Sequence, residues 1–339
     1  MALAAGGEIV RESEVIKLFM RHLGRGGDVP LGDDAGAIRF GEEWLVATND
    51  MLVGKTDVPD IMSPEDVGFK AVTMNVSDVA AMGAMPIGFL FSLGIPAGLD
   101  EGYLEGIARG MGKALDHYDL PVISADTNEA DDLIIDGIAL GITRVPLLRS
   151  GARPGDVVCL TGDIGRALAG YLVWKKGLNV EERLRDALYE KFLRPIARVE
   201  IGVRLSGVAN SAIDVSDGLS KELHLLAGRS GVRIEVGAEK LPIRREVFEV
   251  SELLGLDPYL LALGSGEEFE LLFTLPPEKV GGLDFECTVI GRVMEGEGVY
   301  YRRNGKLGEM PVLGWEHLAP PGEASIDCCS DKILRARGE

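Results

Sequence analysis

The sequence is poor in the two residue types that most often build zinc sites and nucleophile–base pairs. It has four cysteines, none in Cys-x-x-Cys spacing, and four histidines that stand singly. Such scattered residues predict neither a zinc site, nor a structural disulfide, nor a catalytic triad. These residues are Cys159, Cys287, Cys328, Cys329, His22, His117, His224 and His317. Any chemistry in this chain is therefore expected to rest on carboxylates.

Basic residues and long apolar runs are also scarce. Lys and Arg number 35 against 54 Asp and Glu, which gives a net charge of −19, and no basic stripe is present to attract a nucleic acid. No run of about 18 apolar residues could span a bilayer. The N-terminus has no basic flank ahead of an apolar segment, so no secretory signal is predicted. We expect a cytoplasmic protein with an affinity for cations and none for nucleic acid or membranes.

The length of 339 residues predicts about two domains. A cluster of turn residues at 149–156 separates two well-patterned blocks. We therefore predict one domain at 1–148 and a second at 149–321, followed by a polar, frayed tail at 322–339.

Strands and helices alternate in the first block. Residues 64–83 carry the clearest helix signals: Ser63 as N-cap, Pro64 at the first helical position, and Gly83 at the end. Apolar and β-prone runs predict the strands. The prediction is strands at 44–53, 87–95, 120–125 and 132–144, with helices at 64–83 and 100–118.

The second block has the same mixed character. A hairpin-type turn is predicted at 302–306. Strands are predicted at 157–161, 211–215, 232–236, 268–275, 286–293 and 298–303, and helices at 164–177, 181–192, 195–205, 217–229 and 244–254. The fold class is therefore α/β (α+β) in two domains.

Two glycine-containing segments resemble phosphate-binding loops without meeting their requirements. Residues 49–56 have Asn49 where a phosphate loop needs its first glycine, and that position lies inside a predicted strand. Residues 161–166 join a strand to a helix but lack the Gly-x-Gly of dinucleotide sites. We interpret the second segment as a packing turn, with an anion site as the alternative.

Carboxylates recur at the ends of apolar strands, where an isolated charge is costly to bury. Asp34 follows Asp33 ahead of a strand, and this pair alone is as compatible with a turn as with a site. Asp50 interrupts an apolar strand and has Thr48 on the same face. A metal ion would explain why Asp50 is there.

Further carboxylates lie in the middle and second half of the chain. Asp78 stands on an apolar helix, three residues after Asn75, and a hydrogen-bonded core Asp is the alternative interpretation. Asp126 is expected at the end of a strand, where ligands gather in open α/β sheets. Asp214 and Asp217 flank Ser216, which is expected to cap the following helix next to a bound anion.

These acids form a set of hard oxygen ligands without His or Cys, which suits Mg²⁺. Because carboxylates cannot bind a polyphosphate directly, the expected arrangement is carboxylate, metal and phosphate. Arg149, in the turn between the blocks, is either a direct phosphate ligand or an exposed linker residue. The set comprises Asp34, Asp50, Asp78, Asp126, Asp214 and Asp217.

The order of these motifs resembles the thiamine-monophosphate kinase family, a branch of the aminoimidazole ribonucleotide synthetase-like proteins. The resemblance runs from about residue 6 to about residue 318. Its most specific stretches are SDVAAMG at 77–83 and DVSDGL at 214–219, supported by GDD at 32–34, TND at 48–50, DT at 126–127, RSGARPGD at 149–156 and GEEFEL at 266–271.

This resemblance implies a fold and an activity. The N-terminal halves of a homodimer are expected to pair into a β-barrel, next to a C-terminal α/β sandwich domain. ATP and several Mg²⁺ are expected near that junction. The implied reaction is direct in-line transfer of the γ-phosphoryl group of ATP onto thiamine monophosphate, which gives thiamine diphosphate.

The resemblance also implies roles for individual residues. The metal ligands would be Asp34, Thr48, Asn49, Asp50, Asp78, Asp126, Asp214 and Asp217, of which Asp50, Asp126 and Asp217 are expected to act in catalysis. The nucleotide would contact Ala125, Asp126, Arg149 and Ser216. The substrate would contact Asp57, Glu267 and Trp315, because a cationic thiazolium favours a carboxylate and an aromatic face.

The chain departs from the family pattern at three places, of which GSGEEFEL at 264–271 in place of GGEDYEL is a mild change. Asp57 and Val58 replace a His-Phe pair, and Ser124 and Ala125 replace a Gly-Gly pair. The alternatives are therefore another ATP-dependent enzyme of the same superfamily, such as a cyclo-ligase, or a non-catalytic paralogue that binds nucleotide or metal.

Overall fold

A computed structural model describes residues 12–23, 26–29 and 31–315. The predicted tail at 322–339, with Cys328 and Cys329, lies outside the described residues, as does His317. Within the part of the chain that is described, no helix has both the length and the apolarity that crossing a membrane requires.

The first half of the chain builds a five-stranded sheet. Its elements are α1 (Glu12–Leu23), β1 (Gly36–Phe40), β2 (Glu43–Val53), α2 (Gly54–Asp57), α3 (Pro64–Ala81), β3 (Met85–Ile95), α4 (Glu101–Tyr118), β4 (Val122–Glu129) and β5 (Ile134–Thr143). The strand order is β1-β2-β5-β3-β4. Only β3 and β4 are parallel neighbours; the other pairs are antiparallel. Helix α3 covers one face of this sheet, and α4 packs on α3.

Helix α3 begins where the sequence predicts. The Ser63 hydroxyl accepts a hydrogen bond from the Asp66 amide at 3.2 Å, and the Asp66 carboxylate accepts one from the Ser63 amide at 3.1 Å. This reciprocal capping box satisfies two amides that the helix itself leaves free. The helix ends at Ala81, ahead of Gly83, whose φ of +66° suits glycine.

The second half builds a seven-stranded sheet. Its elements are β6 (Val157–Leu160), α5 (Arg166–Lys175), α6 (Glu182–Leu193), α7 (Val199–Leu205), β7 (Ser211–Asp214), α8 (Leu219–Ser230), β8 (Arg233–Gly237), a 3₁₀ turn (Ala238–Lys240), α9 (Arg245–Leu254), α10 (Pro258–Leu263), β9 (Leu271–Leu275), α11 (Pro277–Val280), β10 (Thr288–Met294), β11 (Gly298–Arg303) and β12 (Lys306–Glu309). The strand order is β12-β11-β8-β10-β6-β9-β7, and β8 with β11 is the parallel pair.

Both faces of the second sheet are buried. Along β6, Val158 and Leu160 pack into a core with α5 and α8, whereas Cys159 packs on the opposite face with Ala81 of α3 and Leu205 of α7. The predicted two-domain α/β (α+β) architecture is confirmed, with mixed sheets that lie on either side of residues 149–156.

Three local predictions are wrong. Strand β4 continues to Glu129, so Asp126 lies inside a strand, opposite Ser92 of β3, and does not end it. Backbone pairing needs no apolar side chains, which is why the polar residues 126–129 still form a strand. Ser216 does not cap α8, whose N-cap is Gly218 without a side-chain hydrogen bond. Helix α7 begins at Val199, later than the predicted residue 195.

The glycine-rich turn at 161–166 is a packing turn, as the favoured interpretation states. The amides of Gly165 and Ala167 donate to Glu268 Oε1 at 2.7 and 3.2 Å. Gly162 has a φ of +53°, and a Cβ atom there would lie 2.3 Å from Glu270 Oε1. The anion at the start of α5 is therefore the protein's own buried carboxylate. Residues 49–56 do not form a phosphate loop either, because β2 runs directly into α2.

One face of α3 carries polar side chains toward the second half of the chain. The spacing of residues 66, 70, 73 and 77 places them along one helix face. Asp66 Oδ1 accepts from Arg194 Nε at 2.5 Å, and Ser77 Oγ donates to Asp214 Oδ2 at 2.6 Å. We refer to residues 66, 70, 73 and 77 as the α3 polar stripe.

Helix α3 also packs against α4, and the close approach of these two helices depends on glycine. A Cβ atom on Gly68 would lie 2.0 Å from the Ile107 carbonyl oxygen, and one on Gly110 would lie 2.0 Å from the Glu65 carbonyl oxygen. Real side chains do not fit at such distances, so the two helices approach backbone to backbone.

We expect Gly110→Ala to destabilise the protein by about 1–3 kcal/mol, because the added methyl group must push α3 and α4 apart. Gly112→Ala on the same helix is the matched control, since a Cβ there meets nothing within 4 Å. That control should be neutral or stabilising by up to about 1 kcal/mol, because alanine favours helix. Denaturant unfolding measures both. Equal free energies of unfolding for the two variants would contradict the close helix approach.

Candidate functional site

Three carboxylates from distant parts of the chain converge between the two sheets. Asp34 precedes β1, Asp78 lies near the end of α3, and Asp214 is the last residue of β7. Each offers one oxygen, and these oxygens all lie within 4.8 Å of one another. We call these residues the acidic triad.

One oxygen of each triad residue is held by a neighbouring donor. Asp78 Oδ2 accepts from Thr48 Oγ1 at 2.6 Å, and Asp34 Oδ1 accepts from Arg149 Nη2 at 2.9 Å. Asp214 Oδ2 accepts from Ser77 Oγ, as described above. These three donors do not belong to the triad, and their hydrogen bonds fix the orientation of its carboxylates.

The remaining oxygens of the triad fit a cation. Asp34 Oδ2 and Asp214 Oδ1 are buried and have no hydrogen-bond partner among the described residues. A buried oxygen without a donor is costly unless a cation satisfies it. Carboxylate oxygens converging in this way, with no nitrogen or sulfur ligand beside them, suit a hard divalent ion such as Mg²⁺.

The electrostatics of the triad also favour the binding of a cation. Burial, and then the charges of Asp50, Asp214 and Asp34, raise the pKa of Asp78 well above its usual range. Burial and the charge of Asp34 raise the pKa of Asp214 to about 7. Like charges held this closely favour protonation unless a cation neutralises them.

Asp50 lies beside the triad and is fixed through its backbone. Asn75 Oδ1 accepts from the Asp50 amide at 2.9 Å, and Asn75 Nδ2 donates to the Ala71 carbonyl at 3.0 Å. Asn75 therefore joins α3 to β2. Asn49, which the resemblance assigns to metal, is exposed on the strand face opposite to buried Thr48.

The turn after β7 brings Asp217 next to Trp315. Lys221 Nζ donates to Asp217 Oδ2 at 2.5 Å and to the Trp315 carbonyl at 2.7 Å, and the Trp315 amide donates to the Asp217 carbonyl at 3.0 Å. The carboxylate of Asp217 thus faces a lysine. Glu222 Oε1 accepts from the Asp217 amide at 3.1 Å.

Glu267 reaches the same turn from another loop. Its amide donates to the Ser216 carbonyl at 2.6 Å, and its φ of +56° is unusual for a residue with a side chain. Asp57 ends α2, and its carboxylate accepts from the Val53 amide at 2.8 Å. The Asp57 side chain therefore closes its own turn.

Ala125 and Asp126 lie on β4, the edge strand of the first sheet, where all residues are exposed. Arg149, by contrast, is half-buried and bound to Asp34. Among the predicted site residues, the structure brings Asp34, Thr48, Asp50, Asp78, Arg149 and Asp214 together. Asp217, Ser216, Glu267 and Trp315 form a second group around the β7–α8 turn.

Sequence reasoning missed three functional candidates. Ser77 adjoins Asp78 in a mostly apolar helix, and a hydroxyl next to that carboxylate was a usable signal. Glu222 and Lys70 occupy ordinary helical positions, so only their tertiary contacts reveal them. Burial and the charges of Asp217 and Asp214 raise the pKa of Glu222 well above its usual range.

Two protein-family models match this chain, one in each half. The protein-family model for the AIR synthase related protein, N-terminal domain, matches residues 32–143, and the family model for the C-terminal domain of the same protein matches residues 153–303. The thiamine-monophosphate kinase of Pyrococcus abyssi (strain GE5 / Orsay) is 55% identical over 310 residues, which cover 91% of this chain and 96% of that protein.

Two further matches, a curated protein and a solved structure, indicate the same family. The thiamine-monophosphate kinase of Pyrococcus horikoshii is 52% identical over 309 residues, covering 91% of this chain and 96% of that protein. The solved structure of AaThiL complexed with AMPPCP and TMP is 34% identical, with a TM-score of 0.84, and covers 93% of this chain and 100% of that one. The chain therefore belongs to the AIR synthase related protein family and, within it, to the thiamine-monophosphate kinases.

Proposed function

We propose that this protein transfers the γ-phosphoryl group of ATP to thiamine monophosphate in a Mg²⁺-dependent reaction. The observation that carries the proposal is the acidic triad, whose buried oxygens without donors fit a divalent cation. The names of the relatives and the AaThiL complex with AMPPCP, an ATP analogue, and TMP support the substrates.

The roles of the residues follow from this proposal. Asp34, Asp78 and Asp214 hold metal, with Thr48, Asn49, Asp50, Asp126 and Asp217 as the further ligands. Bound Mg²⁺ supplies positive charge that neutralises the phosphate oxygens. Ala125, Asp126, Arg149 and Ser216 contact the nucleotide, and Asp57, Glu267 and Trp315 contact the thiamine monophosphate.

The chain's own groups position the reactants in this scheme. The acceptor phosphate is already anionic, so no residue needs to remove a proton from it, and Asp50, Asp126 and Asp217 act in catalysis by holding charge in place. Arg149 binds Asp34 Oδ1, which leaves Asp34 Oδ2 for the metal and holds the guanidinium beside the triad, where it can contact a nucleotide phosphate.

An assay of thiamine diphosphate formation tests the function directly. Purified protein with ATP and thiamine monophosphate should give thiamine diphosphate and ADP in equal amounts, and EDTA should stop the reaction. Unphosphorylated thiamine, which lacks the acceptor phosphate, is the matched control substrate. ADP release without thiamine diphosphate would favour another ATP-dependent activity, and nucleotide binding without turnover would favour a non-catalytic paralogue.

Asp78→Asn should separate metal binding from folding. Removing one charge from the triad relieves repulsion, so we expect the melting temperature of the metal-free protein to rise by about 2–4 °C, equivalent to about 1 kcal/mol. Mg²⁺ with ATP should no longer raise that temperature, and kinase activity should fall by at least about 100-fold.

Asp116→Asn is the control for this change, because Asp116 is exposed on α4. It should alter neither the melting temperature nor its response to Mg²⁺ and ATP. A lower melting temperature in Asp78→Asn with an intact metal response would assign Asp78 to structure alone.

We also propose that a second copy of this chain covers the open face of the first sheet, which would complete the expected barrel. Among the described residues, α3 covers one face of this sheet, and the other face exposes apolar side chains: Met51 is 52% exposed and Ile38 is 50% exposed. Edge strand β4 adds Ile123, which is 54% exposed. An apolar face and an open edge of this kind favour pairing.

Met51→Lys should convert this dimer to a monomer, because it places a charge in the apolar face. Met51 lies opposite Asp136 on β5, so the new lysine has a partner within its own chain and folding should be preserved. Leu253→Lys on α9, which is 61% exposed, is the control and should remain dimeric. Analytical ultracentrifugation distinguishes the states; a monomeric wild type would contradict the proposal.

A further inference from the structure

Lys70 is a buried cation that connects the two halves of the chain. It lies on the α3 polar stripe and is 2% exposed. Among the described residues, Lys191 is the other buried lysine, and its ammonium pairs with Glu270 at 2.5 Å inside the second half. Burying an ammonium group is costly unless charged or polar partners surround it. The partners of Lys70 therefore indicate why it is there.

These partners are two positions to which the proposed function assigns substrate contacts. Lys70 Nζ forms an ion pair with Glu267 and donates to the Asp57 carbonyl oxygen at 3.2 Å. Asp57 belongs to the first half of the chain and Glu267 to the second. One ammonium group thus fixes the end of α2 and the 264–270 loop relative to each other.

The two side chains of this ion pair differ in exposure. The side chain of Lys70 is 3% exposed, whereas that of Glu267 is 36% exposed. Lys70 therefore holds the Glu267 carboxylate from the protein side, and Glu267 alone presents a surface to a ligand. The Glu267 backbone, at φ +56° and bonded to Ser216, restricts the carboxylate further.

We infer that Lys70 is the positioning residue of the thiamine monophosphate site: it holds Glu267 in the orientation that receives the cationic ring of the substrate. This inference rests on the proposed function. A carboxylate held before the ligand arrives loses less conformational freedom on binding, so preorganisation favours affinity. The nucleotide is assigned to other residues, so its affinity should not depend on Lys70.

A double-mutant cycle between Lys70→Met and Glu267→Gln tests the inference. Calorimetry on the full chain measures the Kd of thiamine monophosphate and of Mg²⁺-ATP for wild type, both single variants and the double variant. Lys70→Met should weaken thiamine monophosphate binding by about tenfold and leave Mg²⁺-ATP binding within about twofold. In the Glu267→Gln background the same change should have less than about a twofold effect, because Lys70 then has no carboxylate to position.

Two further variants complete the design. Lys70→Arg keeps the charge and the donors and should bind thiamine monophosphate within about threefold of wild type. Lys113→Met removes an exposed lysine on α4 and should change neither affinity. If Lys70→Met does not fold, Lys70→Gln, whose amide still donates to the Asp57 carbonyl, takes its place in the cycle.

The outcomes separate this inference from the function on which it rests. Equal losses of thiamine monophosphate and Mg²⁺-ATP affinity would make Lys70 a structural residue, and additive losses would mean that it acts independently of Glu267. Unchanged thiamine monophosphate affinity in Lys70→Met would also overturn the inference. In all three cases the proposed kinase function would still stand, provided that the wild type turns over thiamine monophosphate. A wild type that neither binds nor phosphorylates thiamine monophosphate would overturn the proposed function, and the inference with it.

Discussion

The polar stripe of α3 is the constraint on which the rest of the molecule depends. Polar and charged side chains on a buried helix face are costly unless every one finds a partner. Three of the four partners come from the second half of the chain: Arg194 for Asp66, Glu267 for Lys70 and Asp214 for Ser77. The fourth residue, Thr73, shares a hydrogen bond with Tyr118 of α4. The glycine contacts on the α4 side hold the helix at a fixed depth. The relative placement of the two sheets is therefore constrained by discrete polar contacts in addition to the apolar contacts of Ala81 with Cys159 and Leu205.

This placement has an electrostatic consequence. The bond from Ser77 to Asp214 is formed one residue before Asp78, so docking the stripe necessarily brings Asp214 to Asp78. Two carboxylates that share a buried site repel each other. The folded protein tolerates this repulsion because the other contacts at the junction contribute more favourable free energy than the repulsion costs. Any cation that binds the triad recovers that free energy, and so metal binding and the stability of the junction are coupled.

The sequence predicts much of this arrangement because its signals are local. The capping box at Ser63 and the apolar runs lie within short segments, and they lead correctly to α3 and to most strands. The carboxylate motifs are equally local, and three of the acids that they indicate lie together in the structure. The predictions that fail concern residues whose roles depend on partners far along the chain. Lys70 looks like any helical lysine until Glu267 lies beside it, and Asp126 looks like a strand end because its continued pairing with β3 leaves no trace in hydrophobicity. Ser216 has the right residue type for a cap, but Gly218 adopts a φ of +142°, and the helix begins there.

The 264–270 loop shows how one short acidic segment serves several purposes. Glu267 and Phe269, which precede β9, have positive φ values, and in this irregular segment Glu267 is partly exposed while Glu268 and Glu270 are buried in the core. Burial alone would raise the pKa of Glu270, but Lys191 and Arg198 hold it at about 2, whereas burial raises the pKa of Glu268 to about 7. A charged, doubly paired Glu270 and a Glu268 bound to the amides of Gly165 and Ala167 fix the base of the loop. The partly exposed Glu267 carboxylate therefore has a rigid loop base beneath it and is held by Lys70 from the protein side. These are the conditions under which a loop residue binds a ligand in one orientation.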